Sequence, residues 1–139
     1  MNRQVAFFEN RLASLATAGI DRDQVVLDPG PDFAKTPAET VAVLRALPGL
    51  ARFGRPVLLA VSRKDFVGAL TMTNPHDREA GTLAAVGEGV DAGALILRVH
   101  AVAETARFLA VRAALRGDVE VPADLTLPVE LRRKRVVPS

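Results

Sequence analysis

The sequence predicts an α/β fold built from parallel βα units. Three short apolar segments, Val25–Leu27, Pro56–Val61 and Leu95–Val99, each come before a stretch with helical spacing. Alternation at this interval is the pattern of parallel strands joined by right-handed crossovers. Short strands of this kind suit a sheet covered on both faces, or the wall of a barrel.

Each element has a local reason. Val5, Phe8, Leu12 and Leu15 recur at helical spacing over residues 3–18, and Gly19 is placed to stop that helix. The Val25–Leu27 run ends at Asp28-Pro29-Gly30, a turn signal. Thr36-Pro37-Ala38-Glu39 is a capping box with proline at the first helical position. It opens a helix expected to reach Leu47, where Pro48-Gly49 should end it. A second strand follows at Pro56–Val61, then Ser62-Arg63-Lys64-Asp65 and the start of another helix. Gly81–Val90 is an Ala-rich helix that Gly87 and Gly89 should weaken. After the third strand comes a long helix, Ala103–Leu115, capped by Gly117. Residues 1–117 therefore hold the three βα units. Residues 118–139, with Pro122, Pro128 and Pro138, read as an irregular basic tail.

Composition narrows the function classes. The chain has 139 residues, the size of one domain, and is 49% hydrophobic, enough for a core. It has six Phe and neither Trp nor Tyr, so the core should be Leu, Val and Ala. With no Cys there is no disulfide or thiolate metal site, which fits a reducing, cytoplasmic setting. No apolar run suggests a signal peptide or a membrane span. The pI is about 9.7, with Arg132-Arg133-Lys134-Arg135 supplying part of the surplus. No aromatic residues are interleaved there, so a solvated tail is expected rather than nucleic-acid binding. GxGxxG after a strand, GxxxxGK[ST] and a metal-spaced His pair are all missing.

In a parallel α/β sheet, function gathers at the C-terminal strand ends. The first end gives Asp28, with Phe33 and Lys35 close behind. The second gives Ser62, Arg63, Lys64 and Asp65, and the third gives Arg98 and His100. Each has a structural alternative. Asp28 suits a turn, Ser62 a helix N-cap, Arg98 an ion pair and His100 a structural histidine. Taken together, they describe a site for a polar heterocycle with a phosphorylated arm. Alternation along the strand puts Arg98 and His100 on one side, and guanidinium suits bidentate contact with phosphate. Asp28 can accept from an amidine-like ring edge, and Lys64 can donate to a ring carbonyl or nitrogen.

The stretches VVLDPGPDFAKT, PVLLAVSRKDFVGAL, AGTLAAV and LILRVHAVAET, in this order and spacing, resemble the C-terminal half of dihydropteroate synthase over roughly residues 5–112. The resemblance implies part of a (β/α)8 barrel and the condensation of a dihydropterin pyrophosphate with p-aminobenzoate in folate biosynthesis. It implies that Asp28 binds the pterin amino edge and that Lys64 binds the pterin and borders the second substrate. Phe33 would line the arylamine pocket, and Arg98 and His100 would hold pyrophosphate. Ser62, Arg63 and Asp65 join the expected substrate-binding set, and Arg98, His100 and Lys64 the catalytic one. Mg2+ is the implied cofactor, with its ligand in an N-terminal half outside this chain.

Three departures from the family pattern bear on that expectation. Asp65 stands where a small polar residue follows SRK, at the helix N-terminus that meets the p-aminobenzoate carboxylate, and is expected to compete for the same backbone N–H groups and repel that anion. Asp32 and Ala34 replace glycines of the DPG-x-G-F-G-K loop. Ala101 replaces the aspartate of RVHDV, which orients the histidine. A full barrel needs about 250 residues, so this chain is expected to be a fragment carrying part of the site, inactive alone. It is also expected to pair with an N-terminal half or with copies of itself, because strands cut from a barrel expose their edges. A divergent pterin- or anion-binding homologue without synthase activity is the alternative. A basic-tailed binding module is a third possibility from a different class.

Overall fold

Helix α1 runs Arg3–Thr17 in the computed structural model, which describes residues 3–132. Val5, Phe8 and Leu12 are its buried residues, and Gly19 follows with φ +78°. The left-handed geometry at Gly19 lets the chain leave the helix without a Cβ clash. Phe8 meets Phe53 edge-to-face, with ring centroids 6.1 Å apart.

Helix α2, Pro37–Arg45, opens on the capping box that its sequence predicts. The Glu39 N–H donates to Thr36 Oγ1 (3.2 Å), and the Thr36 N–H donates to Glu39 Oε2 (2.8 Å). The bond from the Thr36 backbone, followed by that from its hydroxyl, holds the Glu39 carboxyl below its ordinary value. The stabilisation from that shift is present at neutral pH and fades as pH falls through the folded-state value. The helix ends sooner than expected, at Arg45. Pro48 and Gly49 lie inside a 3-10 turn, Leu47–Phe53, rather than ending the helix at Leu47. Leu47, Leu50 and Phe53 fall every third residue, so the threefold period puts all three into the core. Gly54, at φ +61°, ends the turn.

The strands are shorter than the apolar runs that predict them. Strand β1 is Leu58–Leu59 and β2 is Ile96–Leu97, paired in parallel with Leu58 opposite Ile96 and Leu59 opposite Leu97. Val25–Leu27 contributes a single parallel bridge, Leu27 to Val57. Pro29 has no N–H to carry the ladder beyond Asp28. Backbone bonds still tie all three segments together. The Leu27 N–H donates to the Pro56 carbonyl (2.9 Å), and the Leu58 N–H to the Leu27 carbonyl (2.8 Å). On the other side of β1, the Arg98 N–H donates to the Leu59 carbonyl (2.9 Å).

Three more helices complete the order: α3, Asp65–Thr71; α4, Glu79–Asp91; and α5, Val102–Arg116, which Gly117 ends at φ +77°. Helix α2 packs on α3, α3 on α4 and α4 on α5. Leu59 and Val61 are fully buried in the core that these helices cover, and Leu97 and Val99 pack against it. Ile96, by alternation, is 39% exposed, so among the described residues the helices cover one face of the sheet and not both. From Asp118 to Arg132 the chain is exposed, with one 3-10 turn at Val129–Leu131. Arg133, Lys134, Arg135 and Pro138 lie outside the described residues.

Gly87 and Gly89 were expected to weaken their helix, but both are buried and allow close packing. A Cβ at Gly87 would sit 3.2 Å from Phe108 Cζ, and one at Gly89 would overlap the side chain of Leu59. Leu59 has no exposed surface to retreat into. Gly89→Ala should therefore lower stability by about 1–3 kcal/mol through overpacking, despite alanine's better helix propensity. Urea unfolding monitored by circular dichroism checks this, and an unchanged or higher midpoint would contradict it.

Candidate functional site

The register of the two strands builds the centre of the site. Leu58 lies opposite Ile96, and the same offset of 38 residues sets Ser62 beside His100. Ser62 Oγ lies 2.8 Å from His100 Nδ1, and the His100 backbone N–H donates to the same oxygen (3.2 Å). Ser62 is therefore not the N-cap of α3 that its position suggested. Lys64 holds that place, and no side chain caps it from there.

The four polar residues after β1 diverge. Arg63 takes φ +57°, a left-handed conformation costing a non-glycine residue roughly 1–2 kcal/mol. Neighbours hold it there: its N–H donates to Thr82 Oγ1 (3.0 Å) and its carbonyl accepts from Arg78 Nη1 (2.9 Å). Its guanidinium faces Glu79, with Nε 3.6 Å from Oε2, so it is committed to a structural ion pair. Lys64 turns the other way, its Nζ 5.8 Å from the centroid of Phe33, an exposed ring. Asp65 points to solvent and pairs with Arg78 Nη1 at 2.9 Å.

The carboxylate at the start of α3 belongs to a different residue. The Phe66 N–H donates to Asp32 Oδ2 (3.2 Å). Asp32 is tied in turn to the fully buried Thr40, whose hydroxyl donates to Oδ1 (2.9 Å) and accepts from the Asp32 N–H (3.0 Å). This corrects the expectation that Asp65 competes for the helix amides. Asp65 leans on an arginine ahead of α4, and Asp32 arrives from a loop 34 residues earlier in sequence. Asp32 and Ala34 keep positive φ, +60° and +47°, so they hold a glycine-like loop path with side chains added.

Asp32, Phe33, Ala34, Arg63, Lys64 and Asp65 line an open cavity of about 420 Å3. Asp28, Arg98 and His100 are not part of its wall. Asp28 Oδ1 accepts from the Gly30 N–H (2.8 Å), closing the expected turn, and Oδ2 has no hydrogen-bond partner among the described residues. Lys35 Nζ donates to the carbonyls of Gly30 and Phe33 (2.8 and 3.0 Å) and so fixes the loop rather than facing a ligand. The exposed Arg98 side chain has no ion-pair or hydrogen-bond partner among the described residues. His76 lies in the exposed Pro75–Asp77 turn. A larger apolar groove, about 740 Å3, lies among α2, α3 and α4 and shares none of these residues.

Residues 1–100 match the family described as pterin binding enzyme. The chain belongs to this family. It is similar to dihydropteroate synthase type-2 of Escherichia coli, 44% identical over 124 residues, covering 87% of this chain and 46% of the relative. It is also 41% identical over 100 residues to inactive dihydropteroate synthase 2 of Mycobacterium tuberculosis, covering 72% of this chain and 31% of the relative. Among solved structures it resembles dihydropteroate synthase from Xanthomonas albilineans in complex with 7,8-dihydropteroate. That match has a TM-score of 0.78 at 39% identity and covers 88% of this chain and 47% of the other. The chain thus spans roughly a third to a half of the length of these relatives.

Several supports of the rim were missed in the sequence. Thr40, Thr82, Arg78 and Glu79 sit on or beside helices and look like ordinary surface or capping residues, yet both threonines are fully buried. The one signal was a polar residue on the apolar face of a helix, which marks a buried hydrogen bond as readily as a mistake in phase. Among the described residues no three His, Asp or Glu side chains converge, so these residues alone do not fit the Mg2+ that the resemblance implies. No helix among them is long and apolar enough to cross a membrane.

Since Asp32 and not Asp65 meets the Phe66 amide, the two carboxylates should respond differently to substitution. Asp32→Asn keeps an accepting oxygen and removes the charge. It should raise the affinity of the cavity for a small carboxylate probe such as benzoate by roughly three- to tenfold, about 1 kcal/mol. Asp65→Ser should leave that affinity within a factor of about two, because the Asp65 charge is solvated and paired. An NMR titration of both variants checks this. An equal gain in each would show that the Asp65 charge acts on the probe as strongly as that of Asp32.

Proposed function

We propose that this chain carries the pterin, arylamine and pyrophosphate faces of a dihydropteroate synthase site, on three βα units of the C-terminal part of a (β/α)8 barrel. The observation that carries the reading is the cross-strand Ser62–His100 pair, which sets His100 on the same face as Arg98, whose guanidinium has no partner among the described residues. Beside it, Lys64 and Phe33 border an open cavity. Asp28 Oδ2, without a hydrogen-bond partner among the described residues, accepts from the amino edge of a pterin. Lys64 donates to the ring and closes one side of the arylamine space against Phe33. Arg98 and His100 face the pyrophosphate.

The chemistry that suits these groups is substitution at the pterin methylene. The bond from the methylene carbon to pyrophosphate oxygen breaks, and its electron pair leaves on that oxygen. The arylamine nitrogen then donates its lone pair to the carbon and loses a proton. Charge grows on the leaving group, so fixed donors there lower the barrier most. Arg98 offers a guanidinium that is not already neutralised by a carboxylate among the described residues. The cytoplasmic setting expected from composition belongs to the same reading, as does a Mg2+ ion held with the help of residues outside this chain.

A second reading, a family member that binds ligand without completing the synthesis, is favoured by Asp32. The charge it places at the Phe66 amide disfavours the carboxylate of p-aminobenzoate, and one relative is named an inactive synthase.

Arg98→Ala should weaken pyrophosphate binding by at least tenfold, in line with about 1.5–3 kcal/mol for a charge-assisted hydrogen bond. Calorimetry on the isolated chain decides it, and equal binding by wild type and variant would remove the anion site from this proposal. The outer edges of the Leu27 segment and of β2, together with the exposed Ile96 and the 76%-exposed Leu95 before it, should also drive association, with copies of the chain or with the remainder of a barrel. Light scattering behind a sizing column should report a mass above 14.8 kDa that grows with concentration. A single monomeric species over a wide range would contradict the association.

A further inference from the structure

We propose that Ser62 is a positioning residue that sets the tautomer of His100, keeping the proton on Nε2 and making that nitrogen a standing hydrogen-bond donor. The count of protons and lone pairs around Ser62 Oγ selects this tautomer. A serine hydroxyl has one proton and two lone pairs. The His100 backbone N–H takes one lone pair of Ser62 Oγ, at 3.2 Å. The ring nitrogen Nδ1 lies 2.8 Å from the same oxygen. If Nδ1 carried the proton, it would take the second lone pair. The serine proton would then need another acceptor, and among the described residues the Ser62 hydroxyl has none. Ser62 is only 7% exposed, so water is a poor substitute. An unmade donor in such a place disfavours that arrangement by roughly tenfold or more. In the other arrangement every group is satisfied: the backbone N–H donates to Oγ, Oγ–H donates to Nδ1, and the proton of the neutral ring stays on Nε2.

The consequence is chemical. Ala101 offers no carboxylate to the ring, and the partner of Nδ1 is an uncharged hydroxyl. The neutral ring of His100 therefore presents Nε2–H to an anion, with the Arg98 guanidinium as a second donor beside it. Register alone supplies this arrangement, because the 38-residue offset that pairs the strands brings Ser62 to His100. The use of Nε2–H toward pyrophosphate rests on the function proposed above, whereas the tautomer does not.

The test reads ring nitrogens directly. The chain has two histidines, and His76 lies in an exposed turn away from the rim, so His76→Gln assigns the signals without touching the site. Long-range proton–nitrogen correlation spectra of the 15N-labelled chain, at a pH of about 8.5 where an ordinary histidine is neutral, should show His100 protonated at Nε2 alone. Ser62→Ala should produce a mixture of tautomers, and Ser62→Thr, which keeps the hydroxyl, should restore the single form. Backbone amide spectra of both variants verify the fold. A proton on Nδ1 in the wild type, or an unchanged tautomer in Ser62→Ala, would overturn the assignment. Adding pyrophosphate should shift the Nε2 signal. A locked tautomer with no such shift would leave Ser62 as assigned and remove His100 from the proposed anion site.

Discussion

The backbone of residues 56–59 is the constraint on which the rest of the structure depends. It is bonded on both sides, to Leu27 through the Pro56 carbonyl and the Leu58 N–H, and to the third segment through the Val57 and Leu59 carbonyls. Parallel pairing has no tight hairpin to set its register, so register must come from what the side chains bury. Leu59 and Val61 supply that control. Both are fully buried, and Gly89 of α4 leaves Leu59 the space it occupies. A slip of one residue would turn Leu59 out of the core and Ser62 away from His100.

The charges of the rim divide into two groups by what they touch. Arg63, Asp65 and Asp32 face partners within the chain: Glu79, Arg78, and Thr40 with the Phe66 amide. These contacts hold a sharp turn between a buried strand and a short helix. Asp28, Lys64 and Arg98 keep a carboxylate oxygen, an ammonium and a guanidinium without ion-pair or hydrogen-bond partners among the described residues. The first group makes the second possible. A left-handed Arg63 is tolerable because Thr82 and Arg78 satisfy its backbone, and that turn brings Lys64 toward Phe33.

Much of the element order was legible because helix ends have local chemistry. The Thr36 box and the glycines at 19 and 117 act within a few residues of themselves, and a linear reading captures them. The 3-10 turn at Leu47–Phe53 was not legible, since Pro48-Gly49 stops an α-helix but not a tighter one. The role of Gly87 and Gly89 is not legible in the sequence, because it lies in Phe108 and Leu59, distant along the chain. The rim residues could be named from strand ends, but their partners could not. Asp65 is next to the helix start and Asp32 is 34 residues before the amide it accepts from, so proximity in sequence pointed to the wrong carboxylate.

The loop from Asp28 to Lys35 keeps positive φ at Asp32 and Ala34, where glycine would be free to move. A side chain at such a position narrows the conformations open to the unfolded loop, and the folded loop holds a strained one. The Thr40 hydroxyl and the Phe66 amide grip that strained form through a single carboxylate. The result is a stiffer wall than a glycine loop would provide. Such a wall selects ligands by shape instead of adapting to them, so close analogues of one ligand would be separated more sharply here than by a glycine-rich counterpart.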